Sequence, residues 1–309
     1  MRVSKKEPQD WLSTHEAHPA TVPVVHTTAR PKLAMCNIFS HPQKLVQFAR
    51  EHGFSGIDWS FDMQALPETP AEESMWVKQF SRLGSLEIRY HCPFYKVDLG
   101  HHDPWKAEAA GAFFRRIIRL VSKAQGKYLT VHIGLGRDST QPLSWEATTE
   151  NLARLVQYGS DRGVKICLEN LASGWTSRPD IFEKLVRRSG VAVTFDIGHA
   201  HACESITSQH YAVEDFVAPH TDRVFNAHVY HTEVSGRGHA PPDRLEDIED
   251  RLSILQRIGC NWWTLEVREV EGLLQTKRIV EEYFIQVEDQ ANPLSYSPSA
   301  GSTTSQGQG

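Results

Sequence analysis

The sequence has little that would direct it to nucleic acid, to a membrane or to an oxidising compartment. Its 309 residues carry a formal net charge of -5, so no excess of positive charge is available for a DNA or RNA backbone. No apolar stretch approaches the roughly 20 residues of a membrane span, and the polar N-terminus, MRVSKKEPQD, is unlike a signal peptide. We therefore expect a cytoplasmic protein with neither a nucleic-acid nor a membrane partner.

Cysteine is scarce, and its distribution gives no sign of a disulfide framework. The sequence has five cysteines, an odd number at irregular spacing: Cys36, Cys92, Cys167, Cys203 and Cys260. Cys36 and Cys167 lie inside apolar runs, as small buried hydrophobic side chains do. Cys92 follows His91 directly, but one cysteine beside a histidine is weak evidence for a thiolate site. A reducing compartment suits such a chain.

What the sequence does have is a regular alternation of two patterns. Eight short runs favour β-strands: KLAMCNIF, SGIDWSF, LEIRYHC, YLTVHIG, VKICLEN, VAVTFDIG, VFNAHVYH and NWWTLEV. The segments between them show helical spacing, with one apolar face between Ala110 and Val121 and another between Leu245 and Leu255. Glycines in HGFSG, DRGVK and RIGCN predict where helices end before the next strand begins.

Eight strand–helix units predict an α/β protein with a single (β/α)8 TIM barrel over residues 31–290. A doubly wound open sheet is the alternative, but no glycine-rich phosphate-binding loop follows the first strand. Residues 1–30 show no clear periodicity and predict a flexible N-terminal extension. Residues 291–309 are rich in serine, glycine and glutamine and predict a disordered tail.

Acidic and histidine side chains recur where the predicted strands end. Along the chain they are Asp58, His91, His132, Glu169, Asp196 with His199, His228 with His231, and Glu266. The C-terminal ends of the strands meet at one mouth of a TIM barrel, so these residues should converge. A ring of carboxylates and imidazoles would be costly to desolvate unless a positive charge lay among them. The pattern predicts a divalent cation site that needs no thiolate.

These residues do not all carry the same weight. Four consecutive strands each end in a candidate ligand, a coincidence that a structural role does not easily explain: Glu169, Asp196, His228 and Glu266. A single acidic residue at a strand end is more often a cap or a hydrogen-bonding group in a loop, and we expect this of Asp58. His201 and His231 are expected to be outer partners or exposed, and Glu233 is expected to face solvent.

Eight short motifs carry these residues, in the order GFSGIDWSF, YHCPF, TVHIG, CLENLA, FDIGHAH, NAHVYH, GHAPPD and TLEV. Each motif is weak by itself. In this order and spacing, over residues 33–285, they resemble the xylose isomerase-like barrel superfamily, which contains sugar phosphate isomerases/epimerases and endonuclease IV. The motifs are specific for the superfamily and not for one reaction.

The resemblance implies one divalent cation, with Mn, Zn, Co or Fe as candidates and Mg as a further one. In epimerases of the tagatose-epimerase type, the ion is held at positions that match Glu169, Asp196, His228 and Glu266. The position that matches His199 contacts the substrate in such enzymes. The resemblance also leaves association into a homo-oligomer open.

In endonuclease IV, three zinc ions are held, and further histidines that take part match His91, His132, His199 and His239. That enzyme has an aspartate two residues before the last histidine, where this sequence has Arg237, and the loop before His239 looks shorter. Both departures argue against a third metal. We therefore expect His91, His132, His199, Arg237 and His239 to bind substrate or to hold a second ion.

The resulting prediction is a metal-dependent isomerase or epimerase that acts on a small sugar or keto-polyol. Such an enzyme removes a proton next to a carbonyl, and the ion stabilises the resulting enediolate. Glu169 and Glu266 are predicted to be the catalytic carboxylates, one on each face of the substrate. A keto-sugar dehydratase or lyase is a close alternative, because it shares the first proton abstraction.

Further alternatives belong to other classes. An abasic-site endonuclease is favoured by His91, His132 and His239. It is disfavoured by Arg237, by the acidic balance and by the lack of basic loops with interleaved aromatics. A non-catalytic metal-binding or scaffold protein is disfavoured by the near-complete ligand set. Other metal-dependent hydrolases stay open, because a fold does not fix a function.

Overall fold

A closed barrel of eight parallel strands forms the body of the protein, as the sequence predicts. The computed structural model describes residues 30–61, 66–93, 97–134, 140–234 and 236–291. The predicted extension and tail lie almost entirely outside these residues. The barrel strands are β1 Lys32–Cys36, β2 Gly56–Ser60, β3 Glu87–His91, β4 Tyr128–Val131, β5 Lys165–Glu169, β6 Ala192–Asp196, β7 Val224–Val229 and β10 Trp262–Leu265. Around the barrel they follow the order β1-β10-β7-β6-β5-β4-β3-β2.

A short antiparallel hairpin, which the sequence pattern did not indicate, follows β7. It pairs β8 Thr232–Val234 with β9 Gly238–Ala240. Strands of three residues are too short to show a clear alternation of apolar and polar positions. The hairpin leaves the C-terminal end of β7, so it lies on the side of the barrel where the predicted site residues are.

The helices between the strands begin where local signals place them. In chain order they are α1 Pro42–Glu51, α2 Pro70–Ser81, α3 Pro104–Lys123, α4 Trp145–Ser160, α5 Pro179–Ser189, α6 Ile197–Ala202, α7 Glu204–Thr207, α8 Glu249–Arg257 and α9 Val270–Ala291. Proline occupies the first turn of α1, α2, α3 and α5, where its missing N–H is not needed. Side-chain oxygens of Thr69, Asp103 and Ser144 cap the starts of α2, α3 and α4. None of the helices in the described ranges is both long and apolar enough to cross a membrane.

The periodicity of the sequence is confirmed, with one change. Helix α3 buries Ala110, Phe114 and Ile117 on its predicted apolar face. The second pattern is divided between a 3-10 turn at Leu245–Asp247 and α8, and both pieces bury their leucines. The glycines predicted to end helices have positive φ angles of +69°, +70° and +70°, a conformation that glycine adopts without strain: Gly53, Gly163 and Gly259.

Polar side chains fill the barrel interior in two layers, because alternate residues of each strand point inwards. In the lower layer, Thr130 Oγ1 lies 2.8 Å from Thr194 Oγ1, and Asn226 Nδ2 donates to the Thr194 oxygen at 3.1 Å. Arg89 donates to the Asn226 side chain from the opposite wall. The upper layer lies two residues nearer the C-terminal ends of the same strands. It consists of His91, His132, Asp196 and His228.

Gly56, the first residue of β2, has no room for a side chain. A Cβ atom there would lie 2.2 Å from the Trp262 ring and 2.6 Å from the backbone oxygen of Glu87. Since a backbone oxygen within a barrel cannot move away cheaply, Gly56→Ala should lower the free energy of unfolding by about 1–3 kcal/mol. Urea denaturation measures this change.

Gly111→Ala is the matched control. Gly111 lies inside α3, and a Cβ there would meet only the flexible guanidinium of Arg115. Alanine should stabilise this helix by up to about 1 kcal/mol. If the Gly56 variant unfolds at the same urea concentration as the wild type, the expected clash at the start of β2 does not occur.

Candidate metal centre

Four buried side chains meet where the last four barrel strands end: Glu169, Asp196, His228 and Glu266. Their exposed fractions are 1%, 0%, 0% and 2%. Asp196 and His228 are register partners on β6 and β7, and His228 also pairs with Thr264, two residues before Glu266. One ligand atom from each of the four residues lies within 4.8 Å of all the others. The strand ends thus bring the four predicted ligands into one cluster.

The Nδ1 atom of His228 lies at the centre of this cluster. It is 2.8 Å from Oε2 of Glu266, 3.2 Å from Oε1 of Glu169 and 3.6 Å from Oδ2 of Asp196. Three carboxylates and one imidazole form the mixed oxygen and nitrogen set that Mn, Fe, Co and Zn ions accept.

An asparagine fixes the backbone on which this geometry depends. Asn170, directly after Glu169, donates from Nδ2 to the Asp196 carbonyl oxygen, and the Asp196 N–H donates to the Asn170 Oδ1, both at 2.8 Å. Asp196 Oδ1 accepts the N–H of His199 at 2.6 Å and so caps α6. The other oxygen of Asp196, Oδ2, is thereby left for the cluster.

A second group of candidate ligands shares Glu169 with the first. Oε2 of Glu169 lies 3.2 Å from Nε2 of His91 and 3.0 Å from Nε2 of His132. The ligand atoms of these three residues also lie within 4.8 Å of one another. Nδ1 of His132 lies 3.4 Å from Sγ of Cys92, so this thiol contacts the site through an imidazole.

The hairpin of β8 and β9 brings one further carboxylate to the mouth. Oε2 of Glu233 lies 3.3 Å from Nε2 of His199, whose Nδ1 lies 3.2 Å from Oδ2 of Asp196. The expectation that Glu233 faces solvent is therefore wrong in part, since its side chain is 40% exposed but pairs with a buried imidazole. Strand β8, which pairs with β9, places it there.

His239 and Arg237 lie on the same hairpin but differ in position. The His239 ring stacks on Tyr230 with centroids 4.0 Å apart, and its Nδ1 lies 2.8 Å from the carbonyl oxygen of Glu266. A carbonyl oxygen only accepts, so Nδ1 carries a proton and Nε2 is the ring nitrogen left for other partners. Arg237 is exposed in the turn and lies outside the buried cluster.

Asp58 is not the cap or loop residue that we expected. Strand β2 continues to Ser60, so Asp58 lies two residues inside the strand, buried within the barrel. Its Oδ2 is 3.3 Å from Nε2 of His228, and with His91 and His228 it forms a third group of candidate ligands. Strand boundaries are the least certain part of a sequence pattern, and here an error of two residues changes the environment completely.

His201 and His231 belong to a separate contact beside α8. Their ring centroids are 5.2 Å apart, and Nδ1 of His231 lies 3.3 Å from a guanidinium nitrogen of Arg251. Burial and the charge of Arg251 lower the pKa of His201 to about 4. The His231 ring thus contacts the Arg251 cation, and the charge of the same cation acts on His201.

The cluster balances negative against positive charge. Burial alone would raise the pKa of Glu169, but His228, His132 and His91 together lower this pKa well below its usual range. Burial likewise raises the pKa of Glu266, and His228 and His239 lower it by more. On the other side, burial would lower the pKa of His132, but Cys92 and Glu169 raise it to about 10. Ionised carboxylates here require positive charge beside them.

The cluster passes a simple test for a metal site. Within the described part of the chain, several carboxylate oxygens at the mouth are buried without a hydrogen bond: Asp58 Oδ1, Asp196 Oδ2 and Glu266 Oε2. A buried polar atom without a partner costs about 1–3 kcal/mol, and more when it is charged. Two of these oxygens face His228 Nδ1 within the four-residue cluster. The donor types, burial and charge therefore fit a divalent cation.

Comparisons with known proteins agree with the fold. An uncharacterized protein from Methanocaldococcus jannaschii is 29% identical over 196 residues, which cover 63% of this chain and 80% of that protein. A crystal structure of a D-tagatose 3-epimerase-like protein has a TM-score of 0.63 at 18% identity, and covers 84% of this chain and 99% of its own. Endonuclease IV from Thermus thermophilus has a TM-score of 0.60 at 19% identity. The match covers 83% of this chain and 100% of that protein's chain.

The family comparison covers most of the chain. The model described as "Xylose isomerase-like TIM barrel" matches residues 46–283, from α1 to near the end of α9. This span includes seven of the eight barrel strands and every residue of the four-residue cluster. The chain belongs to the xylose isomerase-like TIM barrel family.

Proposed function

We propose that the protein is a divalent-metal-dependent isomerase or epimerase that acts on a small sugar or keto-polyol. The observation that carries the proposal is the buried cluster of Glu169, Asp196, His228 and Glu266, whose ligand atoms all lie within 4.8 Å of one another. In this proposal the four residues hold one ion, and the two glutamates also transfer protons. Mn, Zn, Co and Fe suit the donor set, and Mg is a further candidate.

The positions of the two glutamates support proton transfer as the proposed chemistry. A divalent cation, when bound, supplies a Lewis acid that polarises the substrate carbonyl and makes the neighbouring C–H more acidic. Glu169 ends β5 and Glu266 follows β10, three positions away around the ring of eight strands. One carboxylate removes the proton from its face of the carbon, and the other returns a proton from the opposite face, which inverts the centre.

The hairpin supplies a wall suited to hydroxyl groups. The Nδ1 proton of His239 is engaged by the Glu266 carbonyl oxygen, so Nε2 is the ring nitrogen left to contact a substrate hydroxyl. Glu233 and His199 pair beside it at 3.3 Å. Sugar hydroxyls both donate and accept hydrogen bonds, so a wall of mixed donors and acceptors recognises them better than it would an apolar molecule.

The structural neighbours support the proposal at the level of fold. One is described as D-tagatose 3-epimerase-like and another as endonuclease IV. Because one barrel type serves both, the choice between them depends on the site. The proposed arrangement of one four-ligand cluster with a glutamate on either side favours proton transfer at carbon.

Exchange with solvent tests the reaction directly. The protein, loaded with Mn2+, is incubated with a panel of ketoses and ketose phosphates in D2O, and NMR follows the carbon next to the carbonyl. An epimerase should incorporate deuterium there while a second sugar forms. An isomerase that uses a hydride shift should interconvert aldose and ketose without deuterium. A protein that does neither, and instead cleaves abasic DNA, would refute the proposal.

Abasic-site cleavage is the second candidate, because one observation favours it. His91 and His132 approach Glu169 and form a second possible ligand group beside the first. Sites with more than one cation suit the hydrolysis of phosphate esters. Elemental analysis separates the candidates: one ion per chain supports the epimerase, three support the endonuclease, and none after reconstitution would favour a scaffold.

His132 tests the role of the second group. His132→Ala removes the ring that contacts Glu169. If the ring contacts substrate, KM should rise about 10- to 100-fold, as expected for the loss of one hydrogen bond to a charged group. If the ring holds a second ion, that ion should be lost. The first ion should stay bound. Enzyme kinetics and metal analysis measure both effects, with His201→Ala as the control outside the cluster. If metal content, KM and rate are all unchanged, His132 is a structural histidine.

A further inference from the structure

Asp58 contacts His228 from the side opposite to the carboxylate cluster. Its Oδ2 lies 3.3 Å from Nε2 of His228, whereas Nδ1 of the same ring lies 2.8 Å from Oε2 of Glu266. Asp58 is only 2% exposed and His228 is fully buried, so water does not screen the contact. The two ring nitrogens therefore have different neighbours, and the tautomer of His228 decides which of them has a lone pair for a cation.

Two neighbouring side chains indicate where the proton is. Trp262 Nε1 donates to Thr264 Oγ1 at 3.1 Å, and Thr264 Oγ1 in turn donates to Asp58 Oδ2 at 3.3 Å. An indole N–H only donates, so the threonine hydroxyl keeps its own proton for Asp58. An ionised carboxylate only accepts, so a hydrogen bond between Asp58 and His228 requires the proton on Nε2. Nδ1 is then the nitrogen with the lone pair.

We propose that Asp58 is a positioning residue for His228. It accepts the Nε2 proton and thereby directs the Nδ1 lone pair towards Glu169 and Glu266. The inference rests on the cation site of the proposed function and adds a residue outside the four ligands. A ligand imidazole whose outer N–H meets a carboxylate is fixed in orientation and is a better electron donor.

The competing interpretation makes Asp58 itself a ligand, with His91 and His228, of a second ion. That interpretation needs the lone pair of His228 on Nε2, so the proton would lie on Nδ1 and face the carboxylates. The hydrogen bond from Thr264 favours the positioning role, because it holds Asp58 Oδ2 as an acceptor 3.3 Å from Nε2 of His228. The two interpretations predict opposite tautomers and can be separated by experiment.

Titration with Mn2+ alone, by calorimetry, tests the contribution to affinity. Asp58→Asn keeps the shape of the side chain but removes its charge, and it should raise the Kd about 10- to 100-fold at unchanged stoichiometry. Thr264→Val removes the second donor to Asp58 and should have a smaller effect in the same direction. Thr130→Val is the matched control, because it breaks a hydrogen bond in the lower layer of the same barrel. Its Kd should stay within about twofold of the wild type.

The tautomer of His228 is a second readout, and it would not change if Asp58 had a purely structural role. In Zn2+-loaded protein with 15N-labelled histidine, His228 should show a protonated Nε2 and a metal-shifted Nδ1. The resonance is assigned by its absence from His228→Gln. In Asp58→Asn the Nε2 proton should shift upfield and exchange faster with water, because its charged acceptor is lost.

Three results would overturn the proposal. They are a proton on Nδ1 in the wild type, an Mn2+ Kd that Asp58→Asn leaves unchanged, and loss of one of two bound ions in that variant. The last result would make Asp58 a ligand. If the wild type binds neither Mn2+ nor Zn2+, the cation site of the proposed function fails first, and the positioning role fails with it.

Discussion

Asp196→Asn should remove most of the stabilisation of the protein by Mn2+ and most of its catalytic activity. The asparagine keeps Oδ1, which caps α6 by accepting the N–H of His199, and replaces Oδ2 by an amide nitrogen that cannot bind a cation. Loss of a ligand should weaken binding by more than the roughly 10–100-fold typical of an outer partner. A loss of about 4 kcal/mol in transition-state stabilisation would lower kcat/KM about a thousandfold.

Thermal unfolding with and without Mn2+ measures the first effect. At a free ion concentration of about 1,000 times the wild-type Kd, the wild type should gain about 4 kcal/mol of stability, and a variant weakened more than 100-fold should gain less than about 1.4 kcal/mol. Asp103→Asn is the matched control, since Asp103 also caps a helix, α3, with its carboxylate but belongs to none of the candidate ligand groups. An Asp196 variant that retains the full shift with Mn2+ would exclude this residue as a ligand.

The barrel could be predicted from the sequence because its signals are local and repeated. Each strand–helix unit shows its own apolar spacing, and the C-terminal ends of parallel strands must meet whatever the loops do. The strands also contain a signal for the lower polar layer. Thr130 precedes His132 by two residues, and Thr194 precedes Asp196 by two, so a polar pair at alternate positions marks the inward face.

The environments of Asp58 and Glu233 could not be predicted, because each depends on a partner that is remote in sequence or on an unrecognised turn. Asp58 meets His228 across 170 residues of chain, and in GIDWS it looks like any polar residue near a strand end. Glu233 reaches His199 from a three-residue strand that pairs with β9. Periodicity carries no information about either contact. Coordinates are needed to distinguish a residue that supports a ligand from one that faces water.

Glu169→Gln and Glu266→Gln should each stop epimerisation. Each variant should still exchange a substrate hydrogen with solvent, and the two variants should differ in which sugar they exchange. Both carboxyl groups have pKa values below their usual range, so at neutral pH both are ionised and able to accept a proton. Removal of one acid–base group costs about 10²- to 10⁴-fold in rate. The remaining carboxylate can still remove a proton from its own face and return it there. In D2O, each single variant should therefore incorporate deuterium without inverting the carbon.

The two variants together identify which glutamate serves which face. If Glu169 and Glu266 act on opposite faces, each variant should exchange the hydrogen of only one of the two epimeric sugars, and the two variants should show opposite preferences. The double variant should exchange neither. Metal content must be measured alongside, because Glu169 contacts both ligand groups and its loss is the more disruptive to ion binding. Equal exchange of both epimers by one variant, with its ion still bound, would mean that a single carboxylate reaches both faces, and the two-base mechanism would be wrong.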